Sequence, residues 1–127
     1  MTFAPSPKKL SEVAALCAGE NAADLYPAFV KEFLDALRKE SLTERVNEMI
    51  SDAPTSTGNQ ILDVHIAGLA EYIAFAKGAA VPEWTNGKTR FLAEPVYFGG
   101  GRSRPAMLAT TSFSMRRRNL FCGPVQL

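Results

Sequence analysis

Apolar residues recur at spacings of three and four through most of the chain up to Lys77, a pattern that lines one side of successive α-helices. Ser6 followed by Pro7 fits an N-cap with proline at the first helical position, and Leu10, Val13, Ala14 and Cys17 then keep helical spacing until Gly19. Asn21 can cap a second helix. In it Leu25, Tyr26, Phe29, Val30, Phe33, Leu34, Ala36 and Leu37 fill one half of the wheel, and Lys31, Glu32, Asp35 and Arg38 the other. Pro27 lies early enough to be tolerated or to delay the start. Ser41 and Glu44 form the S-x-x-E spacing of a capping box ahead of Leu42, Val46, Met49 and Ile50, which predicts a third helix closely joined to the second. The stretch DAPTSTG, 52–58, reads as a loop.

A fourth helix is predicted from about Asn59 to Lys77, ended by Gly78 with Pro82 beyond. Leu62, His65, Ile66, Leu69, Tyr72, Ile73 and Ala76 share a stripe opposite Glu71 and Ala67, and so little of this helix is polar that it is expected to be the central one. After Gly78 no single period holds, so 79–104 reads as irregular chain wrapped over the helices, with at most a short helix near Thr89 to Glu94. Pro105 can start another short helix through Met107, Leu108 and Thr111. SFSMRRRNLF, 112–121, can form a further turn with Phe113, Leu120 and Phe121 tucked inward. No internal repeat and no convincing strand pair is evident. The expected fold is therefore all-α: about four main helices, with an irregular C-terminal half and short extra helices packed around the central one.

The length of 127 residues suits a single domain, read here as N-terminal helices over 6–54 and a segment over 55–127 with the central helix and a basic C-terminal region. The 46% hydrophobic and 21% charged fractions are ordinary globular values and disfavour wholesale disorder or a disulfide miniprotein. The absence of a long apolar run or an N-terminal apolar signal region leads to the expectation of a soluble cytoplasmic protein with no membrane association. The net charge of +1 conceals an asymmetry: residues 1–83 sum to −5 and residues 84–127 to +6. The basic tail can dock on acidic helices of its own chain or of a partner, or face an anionic ligand such as nucleic acid.

Candidate chemistry is sparse. Cys17 and Cys122 with the sole histidine, His65, lack the spacing of a metal site, so neither metal nor cofactor is expected. His65 is the natural general acid or base, but its place on the apolar stripe favours a core histidine with one satisfied nitrogen. Glu71 with Glu83, or Asp63 with Glu71, can be nominated as paired carboxylates, although isolated acids on helices usually face solvent. FGGGRSR, 98–104, puts glycines beside arginines without completing a phosphate-binding pattern, and reads as a surface loop. Arg116, Arg117 and Arg118 are consecutive and point to different sides. One is expected to pair with an acid of the helical body, leaving others for phosphate or carboxylate. Trp84, in VPEWTNG, reads as a lid closing an edge of the core.

STG (56–58), AGLAEYIA (67–74), VPEWT (81–85), RFLAEPVYF (90–98) and ATTSFSMRRRNLF (109–121) form a series. It resembles a pattern in a family of small bacterial proteins of unknown function, in which P-x-W is followed by R-F-L-x-x-P-x-[WY]-F and F-R-R-R-[GN]-x-F. AFVKEFL, 28–34, is similar to the segment that precedes it. The residues that match are Glu71, Trp84, Arg90, Phe91, Leu92, Pro95, Phe98, Phe113, Arg116, Arg117, Arg118 and Phe121. Such proteins often follow a helix-turn-helix domain and are antitoxin-like or regulatory in setting. The short stretch ahead of the shared region here leaves no room for that domain, so its DNA binding is not expected to carry over.

The leading expectation is a non-enzymatic regulatory or antitoxin-like protein that binds a protein partner, or another copy of itself, through its helical surface and basic C-terminal segment. Glu71, Trp84, His65, Arg90, Arg116, Arg117 and Arg118 are the candidate binding residues. The alternative is a small enzyme or ligand-binding protein for a phosphorylated or carboxylated molecule, with Arg90 and Arg116 to Arg118 holding the anion and His65 or Glu71 moving a proton. Nucleic acid is the less favoured partner, since no recognition motif accompanies the arginines and the pI is only 7.8.

Overall fold

Asn59 starts the helix on which the rest of the chain is assembled: its side-chain oxygen accepts the N–H groups of Ile61 (3.0 Å) and Leu62 (3.3 Å), two of the donors a helix start leaves unpaired. The computed structural model describes residues 7–98 and 103–127. Ser6 and residues 99–102 of the Gly-Arg loop lie outside the described residues, but the start expected at Pro7 is corrected: the first helix begins at Leu10, after an extended Lys9 without a side-chain cap. The helices are α1 (Leu10–Cys17), α2 (Ala22–Arg38), α3 (Thr43–Ser51), α4 (Gln60–Lys77), α5 (Arg104–Thr110) and α6 (Phe113–Arg116). The fold is all-α, and among the described residues the only strands are β1 (Val96–Tyr97) and β2 (Leu120–Phe121).

Helix α4 runs as expected from its Asn59 cap to Gly78, which takes the left-handed conformation at φ 69° that glycine adopts without strain. It packs against α1, α3, α6, β2 and two 3₁₀ turns, Glu83–Asn86 and Lys88–Arg90. Leu62, Val64, Ile66, Leu69, Ala70 and Ile73 are all sealed from solvent, which makes it the central helix. Around it Leu10, Val13, Phe33, Leu37, Val46 and Ile50 complete a single core. Pro27 is accommodated inside α2, whose buried face carries Tyr26, Phe33 and Leu37.

Several expectations are corrected. The Ser41–Glu44 capping box does not form. Helix α3 starts at Thr43 after an extended Leu42 without a side-chain cap, and Glu40 instead accepts the N–H groups of Ser41 (3.0 Å) and Leu42 (3.3 Å). At Thr89 to Glu94, where at most a short helix is expected, only the 3₁₀ turn Lys88–Arg90 forms, with Arg90 8% exposed. A strand pair does exist. Strands β1 and β2 are parallel, with Val96 opposite Leu120, and the Leu92 N–H donates to Arg118 O (3.1 Å) just beside them. Phe113, expected to tuck inward, is 71% exposed, since Ser114 and Met115 take the buried side of α6.

Met115 enters the core where α4 carries Gly68. A Cβ at Gly68 would lie 2.3 Å from Met115 Sδ, so this glycine provides close approach rather than backbone freedom. Gly68→Ala is expected to lower stability by about 1–3 kcal/mol through overpacking, read as a shift of the urea midpoint at unchanged slope. Combined with Met115→Ala it should cost less than the two single changes added together, because both act on one contact.

Candidate functional site

The residues singled out in the sequence gather mainly along one flank of α4, where two acids that a helical wheel would turn to solvent are buried. Glu71 is 6% exposed and Asp63 5%. A buried carboxylate must be paired or hydrogen-bonded, and each acid recruits the irregular chain for that purpose.

Glu71 divides its two oxygens between two consecutive arginines. Oε1 accepts Arg118 Nη1 at 2.8 Å and Oε2 accepts Arg117 Nη1 at 3.0 Å. Arg118 is fully buried, and also donates to Ser114 O (2.7 Å) and Thr85 O (2.9 Å), tying α4, α6 and the first 3₁₀ turn together. Burial lowers the Arg118 guanidinium below the ordinary arginine range, with the bond to Glu71 acting against that fall. Both guanidiniums lie about the ring of Phe91, at 5.1 Å for Arg117 and 4.9 Å for Arg118. The expectation that at least one of the three arginines pairs with an acid of the helical body therefore holds.

Asp63, on an adjacent face of α4, accepts Ser56 Oγ (2.7 Å), Thr57 N (2.9 Å) and Thr57 Oγ1 (2.8 Å), which folds the STG loop back over the helix start. Arg90 bonds the main chain beside it, donating to Asp63 O (3.0 Å) and Pro54 O (2.9 Å). Its guanidinium lies 5.0 Å from the Trp84 ring. Trp84 in turn donates its indole N–H to Ile50 O (3.1 Å), closing the end of α3 as the lid reading anticipates. Desolvation lowers the Arg90 guanidinium, and the Asp63 charge partly restores it. Asp63, Thr85 and Phe91 were not nominated as partners of these arginines. The STG quoted in the resemblance, placed just ahead of Asp63, was the one local hint.

His65 faces elsewhere, roughly 200° around α4 from Asp63 at 3.6 residues per turn. Its Nδ1 is hydrogen-bonded to the hydroxyl of Tyr26, and the rings of Tyr26 and Phe98 lie at 5.4 and 5.8 Å. The expected single satisfied nitrogen is present, but His65 is half-buried at the edge of the core rather than within it. Loss of solvation lowers its pKa to about 4, so the imidazole is neutral at pH 7. Arg116 stays exposed on α6.

Glu71 meets Arg117 and Arg118 in ion pairs, whereas His65 lies on another face of α4. One cavity of about 700 Å³ lies between α2, α3 and the chain at Lys8, with Lys9, Lys39 and Arg45 facing Glu32, Glu40 and Glu48. A second, of about 390 Å³, is lined by His65 and residues of α2 and the C-terminal tail. Neither is lined by Glu71, Trp84, Arg90 or the three consecutive arginines. Among the described residues no group of three or more His, Cys, Asp or Glu is placed to hold a metal ion, and none of their helices is long and apolar enough to cross a membrane. Cys17 is buried, and burial raises the half-buried Cys122 to about 11, so both are protonated thiols at neutral pH. No protein-family model, curated protein sequence or solved structure matches the chain.

Arg118→Met leaves Glu71 without its buried partner and is expected to cost about 3–5 kcal/mol. Arg117→Ala removes a pair whose cation is 31% exposed and should cost at most about 1 kcal/mol, both read from denaturant midpoints. His65 generates a pH dependence. Its folded pKa of about 4 lies below the 6.5 of a free imidazole, so between the two the unfolded chain takes up a proton that the folded chain refuses. The stability this contributes is full above pH 6.5 and is lost as pH falls toward 4, by about 2 kcal/mol after discounting for the ring's partial exposure. His65→Gln, which does not titrate, should lose that much less stability between pH 7 and pH 4 in urea melts.

Proposed function

We propose that this chain is a non-enzymatic regulatory protein of the cytoplasm, antitoxin-like in setting as its sequence resemblance implies, which binds a protein partner through its helical surface and basic C-terminal segment. One observation carries the reading: the three consecutive arginines are divided, with Arg118 and Arg117 held by Glu71, while Arg116 stays outside on α6 beside the 71% exposed Phe113. An exposed aromatic ring and a guanidinium, fixed on a short helix by buried Ser114 and Met115, are the residue types enriched at protein interfaces. The partner this suits presents an apolar recess with an acidic rim.

The competing reading, an enzyme or binding protein whose arginines hold a phosphorylated or carboxylated molecule, is weakened by the same geometry. Arg90 and Arg118 give their donors to main-chain carbonyls and Glu71, and neither cavity is lined by them.

Purification of the tagged protein from its own cells at moderate salt, with mass spectrometry of what is retained, tests the reading. The expected result is one stoichiometric protein partner. It should be lost with the variant Phe113→Ser/Arg116→Glu, whose thermal midpoint should stay within about 2 °C of the parent because both side chains are exposed. Retention of nothing, of nucleic acid that dissociates as salt rises, or of the same partner by the variant would overturn it.

A further inference from the structure

The second cavity combines features that the partner-binding reading does not use. Its walls come from three elements: Val30 and Leu34 of α2, His65 and Leu69 of α4, and the C-terminal tail at Cys122 and Val125. Lys31 and Arg38, more exposed, stand at the rim. At about 390 Å³, with a lining that mixes apolar side chains with Lys31, Arg38, His65 and Gln126, it falls within the range of small-molecule sites, roughly 300–1,000 Å³.

The polar groups point to the chemistry of an occupant. Tyr26 is 2% exposed, and its hydroxyl has His65 Nδ1 as its one partner among the described residues. Were Nδ1 to carry the hydrogen, the hydroxyl proton would be left unpaired in the core, so the network assigns Tyr26 as donor and leaves the hydrogen on Nε2. Among the described residues Nε2 has no hydrogen-bond partner and is not among the sealed polar atoms, and His65 is one of the residues that line the cavity. At the rim Lys31 (3.0 Å) and Arg38 (2.8 Å) share Asp35, which leaves one positive charge in excess. Arg38 also donates through Nη2 to the main-chain oxygen of Gln126 at 2.8 Å, so an acceptor oxygen from the tail already sits where a carboxylate oxygen would bind more strongly.

We propose that this cavity is a binding site for a small monocarboxylate with an apolar body. The apolar part lies against Val30, Leu34, Leu69 and Val125. The carboxylate takes the Arg38 donor from Gln126, and His65 stands on the wall of the same cavity, where its ring senses the occupant. The excess positive charge at the rim selects an acid over an equally apolar alcohol.

Octanoate and 1-octanol are suitable probes, and the single histidine makes the readout specific. The full chain, titrated with each, is followed by the nitrogen and carbon-bound proton NMR signals of His65. Octanoate is expected to shift them saturably, with an affinity at least about fivefold above that of octanol. Arg38→Gln should remove most of that difference while leaving octanol unchanged. The comparison of acid with alcohol is made on the unaltered chain, so it decides the matter whether or not the variant folds. Absence of a saturable His65 shift with octanoate, or equal affinity for acid and alcohol, would overturn the proposal.

Discussion

The buried carboxylate of Glu71 is the constraint on which the C-terminal half depends. It lies on the most enclosed helix of the molecule, and a charge there is tolerable only if its lone pairs are filled. The groups that fill them come from 46 and 47 residues further along the chain. Arg118 does more than neutralise: by reaching Thr85 O and Ser114 O as well, it holds the first 3₁₀ turn and the short helix α6 against α4. Breaking the pair would expose those carbonyls along with the charge.

The same device recurs at the other end of the flank. Residues 79–98 are mostly irregular, and irregular chain near a core must still satisfy its main-chain groups. The side chain of Asn119, at φ 64°, does so for Leu92 O at 2.8 Å, and Arg90 reaches out of the segment to the main chain at Pro54 and Asp63. The parallel pairing of β1 with β2 adds the remaining bonds. Three of the four arginines that suggested an anion site, Arg90, Arg117 and Arg118, are thus internal cross-links, and Arg116 beside Phe113 is the one left outside.

Burial also separates the two titratable candidates. His65 and Glu71 lie six positions apart on one helix yet face different environments: an aromatic enclosure that keeps the imidazole neutral, and an arginine pair that accepts a carboxylate. Acid–base chemistry shared between them has no geometric basis. What remains at His65 is a hydrogen-bond donor whose direction is set by Tyr26.

The four main helices were legible from sequence, because periodicity, the Asn59 start and the Gly78 stop act within a few residues of themselves and need no distant partner. The centrality of α4 followed from its lack of a polar face, and the inward place of Cys17 from its spacing with Leu10, Val13 and Ala14. The resemblance marked Glu71, Trp84, Arg90, Arg117 and Arg118 without saying that they form one cross-linked flank. That was decided by tertiary structure alone, as were the burial of Asp63 and Glu71, the parallel strand pair and the outward turn of Phe113. Each depends on groups tens of residues apart. A carboxylate on a helix face is solvated in isolation, and becomes a core element only when the fold delivers a guanidinium to it.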